Sequence, residues 1–195
     1  MSNISFEDRV VIVTGAGNGL GKAYALELGN RGAKVVVNDL GGSVDGSGSA
    51  SSPADEVANE IIENGGEAVA NYDSVATKEG GESIVQSAID NFGTVDAVIN
   101  NAGILRDKSF ANMSEEELSL IIDVHLKGTF FVSQPAFKVM KEKNYGRIVN
   151  VASPSGLFGN FGQSNYGAAK MGIVGLTNVL AVEGAKYNIK VNVKI

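Results

Sequence analysis

The chain has no cysteine, no tryptophan, three prolines and a single histidine among 195 residues. Without a thiol it forms no disulfide, no thiolate zinc site and no cysteine nucleophile, and one histidine excludes a histidine-rich metal site, so no metal is expected. Positive charge is also scarce. Sixteen basic residues against 22 acidic ones leave a net charge of -6, which argues against a broad nucleic-acid footprint. No apolar run approaches the length that crosses a bilayer, and the opening "MSNISFEDRV" lacks the basic and apolar regions of a secretory leader. The absences together read as a reducing, soluble, cytoplasmic setting with no membrane partner.

What is present suits one domain spanning residues 1–195, with 44% hydrophobic and 19% charged residues and a size that buries about two thirds of the unfolded surface. Short β-branched runs alternate with longer stretches of helical spacing. "RVVIVT" (9–14), "KVVVN" (34–38), "EAVANY" (67–72), "VDAVIN" (95–100), "GRIVNV" (146–151) and "IKVNV" (189–193) read as strands, several apolar on both faces. Strands buried on both sides belong to a parallel sheet covered by helices. The segments near 19–31, 53–64, 78–92, 114–142 and 164–186 carry the helical pattern. This βαβ alternation predicts an α/β fold with a doubly wound parallel sheet, the Rossmann architecture. The Gly/Ser-rich "GGSVDGSGSASSP" (41–53) reads as a flexible surface loop, with closure over a ligand as the alternative.

The first strand runs into "TGAGNGLGKAYALEL". Glycines between a strand and a helix permit a tight turn and let backbone N–H groups approach a pyrophosphate at the positive end of the helix. The common G-x-G-x-x-G spelling fails because Leu20 takes the third position counted from Gly15, whereas T-G-x-x-x-G-x-G fits from Thr14 to Gly21. Gly15, Gly17, Asn18, Gly19, Leu20 and Gly21 are the candidate dinucleotide contacts. A purely structural turn would use the same glycines.

Asp39 follows Gly21 by eighteen residues, close to the offset of a ribose-binding acid. Its carboxylate would accept from ribose hydroxyls and repel a 2′-phosphate, since like charges at ~4 Å and an effective dielectric near 20 cost several kcal/mol. NAD is therefore expected over NADP, although Lys22 is near enough in sequence to offset part of the repulsion. Asp73 and Ser74 after the third strand, and Asn100, Asn101, Ala102 and Gly103 after the fourth, fall on the same sheet edge, where ligands of such sheets lie.

Finally, Tyr166 precedes Lys170 by four residues, one helical turn, with Ser153 upstream. Alone, that pair is a surface accident or a proton-transfer device. A phenol titrates near 10, too high for a base at neutrality, and an adjacent ammonium favours the phenolate. If Ser164 caps the helix, Tyr166 also sits in its first turn, where the helix dipole adds to the effect.

T-G-x-x-x-G-x-G at 14–21, N-N-A-G at 100–103, Ser153 and Y-x-x-x-K at 166–170, in this order and spacing, resemble the short-chain dehydrogenase/reductase family over residues 5–193. Within it, "VVVNDLGG", "VANYDSV", "NNAGILRDKSF" and "GLFGNFGQSNYGAAK" are similar to the (3R)-hydroxyacyl-CoA dehydrogenase domains of peroxisomal multifunctional enzymes of type 2 and their stand-alone bacterial relatives. The resemblance implies an NAD-dependent oxidoreductase that passes a hydride between NAD and a secondary alcohol, a (3R)-3-hydroxyacyl-CoA. It makes Ser153, Tyr166 and Lys170 the catalytic residues: Tyr166 removes the hydroxyl proton, Ser153 holds the same oxygen, and Lys170 also binds the nicotinamide ribose. The resemblance further implies a homodimer or homotetramer, packed through the helices near 114–142 and 164–186, and makes the peroxisomal matrix the alternative compartment. Reduction of another ketone, such as a 3-oxoacyl-carrier-protein or a steroid-like substrate, and non-catalytic nucleotide binding are the competing readings.

Two positions depart from the family pattern. "DVHLKG" has His125 where many members carry a relay asparagine, so His125 is either a relay contributor or a packing residue. After "VNVKI" the usual substrate-covering segment is expected to be missing.

Overall fold

Valine and isoleucine runs dominate the six strands because branched side chains fit a pleated surface buried against helices. The computed structural model describes residues 4–42, 45, 47, 48 and 52–195. Chain order is β1 (Val10–Thr14), α1 (Gly19–Asn30), β2 (Lys34–Asn38), α2 (Ser52–Glu63), β3 (Glu67–Asn71), α3 (Lys78–Phe92), β4 (Ala97–Asn100), α4 (Glu115–Ile121), a π-helical turn (Ile122–Lys127), α5 (Gly128–Glu142), β5 (Gly146–Val151), α6 (Pro154–Phe158), α7 (Ser164–Gly184) and β6 (Ile189–Lys194). All pairings are parallel, in the order β3-β2-β1-β4-β5-β6. The expected doubly wound sheet is present, and the chain reverses its direction of growth between β1 and β4. Much of the Gly/Ser-rich 41–53 segment lies outside the described residues.

The sheet is covered unequally. Val11, Val13, Val35 and Val37 pack under α1 and α2, with Ala25, Val57 and Ile61. Val10, Ile12, Val98 and Ile148 face the other way, onto α3 and α5 through Ile84, Val132 and Met140. β1 is buried on both faces, but β5 alternates buried with half-buried positions and β6 buried with exposed ones. Burial on both sides therefore holds for β1 and β2, is partial at the β3 edge and gives way to exposed positions toward β6. The reason is that α1 and α2, the two helices of one layer, sit over β1–β3.

Helix ends follow local chemistry. Thr77 Oγ1 accepts from Gly80 N at 3.1 Å to start α3, and Gly93 ends it at φ 80°. Ser114 and Glu117 form a reciprocal capping box at α4. The segment expected as one helix over 114–142 is continuous but changes to wider π turns at Ile122–Lys127, the place that holds His125.

At the N-terminal edge of the sheet Asp96, 5% exposed, accepts from Val10 N at 2.9 Å and Lys143 Nζ at 2.5 Å and pairs with Arg9 at 3.5 Å. Removing it strands a buried amide and a partly buried ammonium. Asp96→Ala should lower unfolding free energy by about 3 kcal/mol, read from urea denaturation, without altering the opposite edge.

Candidate active site

Where the strands end, five of them change from apolar to polar. Thr14, Asn38 and Asn71 are in register across β1, β2 and β3, as are Asn100 and Asn150 across β4 and β5. All are buried, and each finds partners, although Asn100 Oδ1 has none among the described residues. Asn38 Nδ2 donates to Asn71 Oδ1 at 2.8 Å and to Asp73 O at 2.9 Å. Asn100 Nδ2 donates to Ser133 Oγ on α5 and to Asn150 Oδ1, and Asn150 Nδ2 donates to Thr177 Oγ1 on α7. The row thus closes the core and ties the loops and helices to the sheet.

Thr14 Oγ1 accepts the amides of Asn101 and Ala102, both at 3.1 Å, and Asn101 Nδ2 returns bonds to Thr14 O and Gly15 O. The glycine turn and the N-N-A-G segment are therefore stitched together. Gly15, at φ 62°, approaches Ala102 so closely that a Cβ would sit 2.7 Å from its Cα. Asp39 reaches under the turn: its Oδ2 accepts from Gly17 N at 2.8 Å and its Oδ1 from Gly41 N at 2.7 Å. A Cβ on Gly17 would meet that carboxylate and Pro53 at under 3 Å. Lys22 does not sit against Asp39; its ammonium pairs with Glu60 at 2.8 Å.

Beside the turn opens a cleft of about 390 Å³, bounded by Asn18, Asp39, Asp73, Ser74, Gly103 and Val124. Asp73 Oδ2 is held by Asn71 Nδ2 and Ser83 Oγ, and Ser74 Oγ accepts from Ala76 N. Gly15, Gly19 and Ala102 also line the cleft. The remaining candidates stand apart. Gly21 is buried against Gly15 O, Leu20 is 58% exposed, and the Asn100 side chain is turned into the core.

Past the end of β5 stand Ser153, at the start of α6, and Tyr166 and Lys170 on α7, against which α6 packs. Ser153 begins α6, its Oγ accepting from Ser155 N at 3.2 Å, and α6 packs on α7 with Gly156 against Lys170 and Met171. Lys170 is 3% exposed, and its Nζ donates to Val151 O at 2.6 Å. Burial pulls its pKa down to about 8. The same ammonium lies 5.4 Å from the centre of the Tyr166 ring. The cap expected at Ser164 is not formed. Gln163 is the residue before the helix, Ser164 is already helical, and its Oγ donates to Met113 Sδ. The reason is competition: Asn165 Oδ1 takes the Tyr166 N–H at 2.7 Å, and Gln163 O takes the Gly167 N–H. Tyr166 nevertheless remains in the first turn of α7.

Asn165, which the sequence reading passed over, and His125, which it read as a relay or packing residue, also shape this site. Asn165, wholly buried, also donates to Arg106 O and Glu117 O, so it fixes the tyrosine backbone to the loop after β4 and to α4. Its only signal in sequence was its place before Tyr166. His125, 2% exposed, stands edge-on to Tyr166 at 5.1 Å between ring centres. His125 Nε2 lies 2.8 Å from Ile104 O and 3.1 Å from Ile104 N, so it donates to the carbonyl or accepts from the amide according to its tautomer, and the buried Nδ1 has no partner among the described residues. Burial first, and then the Lys170 charge, push its pKa down to about 4. No group of side chains suited to a metal occurs among the described residues.

Residues 9–194 match the short chain dehydrogenase family. The chain is 62% identical over 190 residues to the peroxisomal hydratase-dehydrogenase-epimerase of Saccharomyces cerevisiae, covering 97% of itself and 21% of that protein. It is 58% identical over 186 residues to a short-chain type dehydrogenase/reductase of Mycobacterium tuberculosis, covering 95% of itself and 65% of the relative. The full-length peroxisomal multifunctional enzyme type 2 of Drosophila melanogaster superposes with a TM-score of 0.82 at 47% identity, over 97% of this chain and 31% of the other. The chain thus spans about a fifth to just under two thirds of these proteins.

The depressed histidine makes stability depend on pH with a defined sign. Unfolded, His125 takes up a proton below about 6.5; folded, it resists until about 4. Its neutral form is accommodated above 6.5, and stability is lost as pH falls through that window, by about 3 kcal/mol at most. Urea unfolding at pH 7 and pH 4.5 should show this loss, and His125→Asn should reduce it.

Proposed function

Because the chain belongs to the short-chain dehydrogenase family and is an oxidoreductase of the kind that uses NAD or NADP, we propose that it oxidises a secondary alcohol with NAD, the substrate being a (3R)-3-hydroxyacyl-CoA. One observation carries the chemistry: Tyr166 and Lys170 share a turn of α7 at the strand ends where the glycine turn and its cleft open. The acyl thioester is supported by the relatives, whose names include a hydratase-dehydrogenase-epimerase and a multifunctional enzyme.

The glycine turn and the acid beneath it suit a dinucleotide. Gly15 and Gly17 leave no room for a Cβ, the amide of Gly19 opens the first turn of α1, and the Asp39 carboxylate is positioned under that turn. Asp39 would take the adenosine ribose and discourage a 2′-phosphate, a preference Lys22 does not relieve because Glu60 neutralises it. The amides at the start of α1 would hold the pyrophosphate, and Asp73 and Ser74 would flank the adenine. When bound, the nicotinamide supplies the hydride acceptor.

On the protein side, Ser153 holds the substrate oxygen by its hydroxyl and Tyr166 takes the proton from that oxygen. Lys170 presents a cation beside the ring, fixed by Val151 O. His125, neutral at physiological pH, adds no competing charge and keeps the ring upright. Exposed Phe130 on α5 and Met171, Val179 and Val182 on α7 support assembly as a homodimer or homotetramer. The relatives' names favour the peroxisomal matrix, while a stand-alone form like the mycobacterial one would be cytoplasmic.

NADH formation with (3R)-3-hydroxyacyl-CoA, its (3S) partner and a simple secondary alcohol tests the substrate; turnover confined to another alcohol, or none, refutes it. Tyr166→Phe should lower kcat by about 100-fold or more while NAD affinity holds within a few fold. Asp39→Ser should narrow the NAD over NADP preference in kcat/KM by about tenfold or more. Faster turnover with NADP in the unmodified protein would contradict the role given to Asp39.

A further inference from the structure

The sequence holds two Asn-Gly pairs on exposed turns, Asn18–Gly19 and Asn64–Gly65, and the structure separates them. An asparagine followed by glycine is open to attack on its side-chain carbon by the glycine amide nitrogen, provided that nitrogen is free and the backbone can pucker. At the second pair it is not free: Gly65 N donates to Ile62 O at 2.9 Å. At the first pair it is. Gly19 opens α1, and among the described residues its N–H has no acceptor. Asn18 precedes the helix in an extended conformation, and its side chain makes no capping bond. Apart from its chain neighbours and the backbone of α1, no described atom lies within 4 Å of where a Cβ on Gly19 would stand, and Gly19 sits at φ 54°. The partial positive charge at the start of α1 also favours loss of the Gly19 amide proton.

We propose that Asn18 is a self-modification site, protected by the bound cofactor and inactivating when it reacts. Gly19 N attacks Asn18 Cγ, the new C–N bond closes a five-membered imide, the Cγ–Nδ2 bond breaks and ammonia leaves. Water then adds to one of the two imide carbonyls and opens the ring, giving aspartate or isoaspartate at position 18. Either product places a carboxylate at the mouth of the glycine turn. Aspartate is as good a helix-capping residue as asparagine, so the fold survives. The pyrophosphate, by contrast, would meet a like charge, and the isoaspartate adds a main-chain atom to the turn that should cradle it. A cofactor seated there would occupy the Gly19 amide and immobilise Asn18. The protein would thus keep its cofactor affinity while occupied and lose it with age when empty. This consequence rests on the nucleotide-binding reading of the cleft; the reaction itself does not.

Incubation of the protein in mildly alkaline buffer, with and without saturating NAD, tests both parts. Peptide mapping would follow the mass gain of about 1 Da at each pair, and titration calorimetry would give the NAD dissociation constant of fresh and aged samples. The expected result is faster modification at position 18 than at 64 in the free protein, suppression by NAD at 18 alone, and affinity weakened about tenfold or more in the modified fraction with its thermal midpoint unchanged. Asn18→Ser, compared with its own fresh sample, should lose no affinity on ageing. Modification at 64 with position 18 intact overturns the site, and equal modification with and without NAD overturns the protection. Fresh protein that binds no NAD, while position 18 still reacts first, overturns the nucleotide reading and leaves the modification standing.

Discussion

The constraint around which the site is arranged is a buried cation. Lys170 keeps its ammonium at 3% exposure with one backbone carbonyl at 2.6 Å, and no carboxylate joins it among the described residues. Such burial costs several kcal/mol, and the fall of its pKa to about 8 is the same cost seen from the proton's side. A chain selected for stability alone would place an apolar residue here. Accepting the cost keeps a positive charge, itself withdrawn from solvent, beside the half-buried Tyr166 phenol, where its field is less screened than at the surface. It also explains the company it keeps. A second cation nearby would be intolerable, and His125 is held neutral in part by Lys170 itself.

Holding that cation in place requires rigidity from outside the turn that carries it. The polar row at the strand ends supplies it. Side chains pair across β2 and β3 and across β4 and β5, and the second pair also reaches α5 through Ser133 and α7 through Thr177. Each is buried, so each bond left unmade would cost more than the bond itself contributes, and the row has few alternative arrangements. Thr14 and Asn101 extend the same network into the glycine turn. The glycine turn with its cleft and the Tyr166–Lys170 pair thus border the same polar edge of the sheet.

Much of this was legible in the residues. The strands stood out because branched apolar runs end in polar or glycine-rich turns, and Gly15, Asp39, Tyr166 and Lys170 could be placed because each obeys a short-range spacing rule. What escaped was set by distance in the chain. The cap at Ser164 failed because Asn165, braced by carbonyls 48 and 59 residues away, took the amide first. Asn100 read as a ligand contact, but its partners at Ser133 and Asn150 turn its side chain inward. Short α6 carries a proline, a serine and a glycine in five residues, too little pattern to betray a helix. The uneven covering of the sheet depends on which strands α1 and α2 lie over, something no strand states about itself.

The π-helical turn at Ile122–Lys127 fits one more residue into its span than an α-helix would. Each residue of an α-helix advances the side-chain direction by about 100°, so the surplus acts as a fixed angular offset between α4 and α5. α5 meets α3 and the sheet with one phase, and His125 meets Ile104 and Tyr166 with another. A deletion of one residue there would restore regular winding and put the two phases out of step. Either the imidazole would leave the tyrosine or Val132 and Met140 would leave the core, so the helix can keep its irregularity or its neighbours, and not dispense with the first while retaining the second.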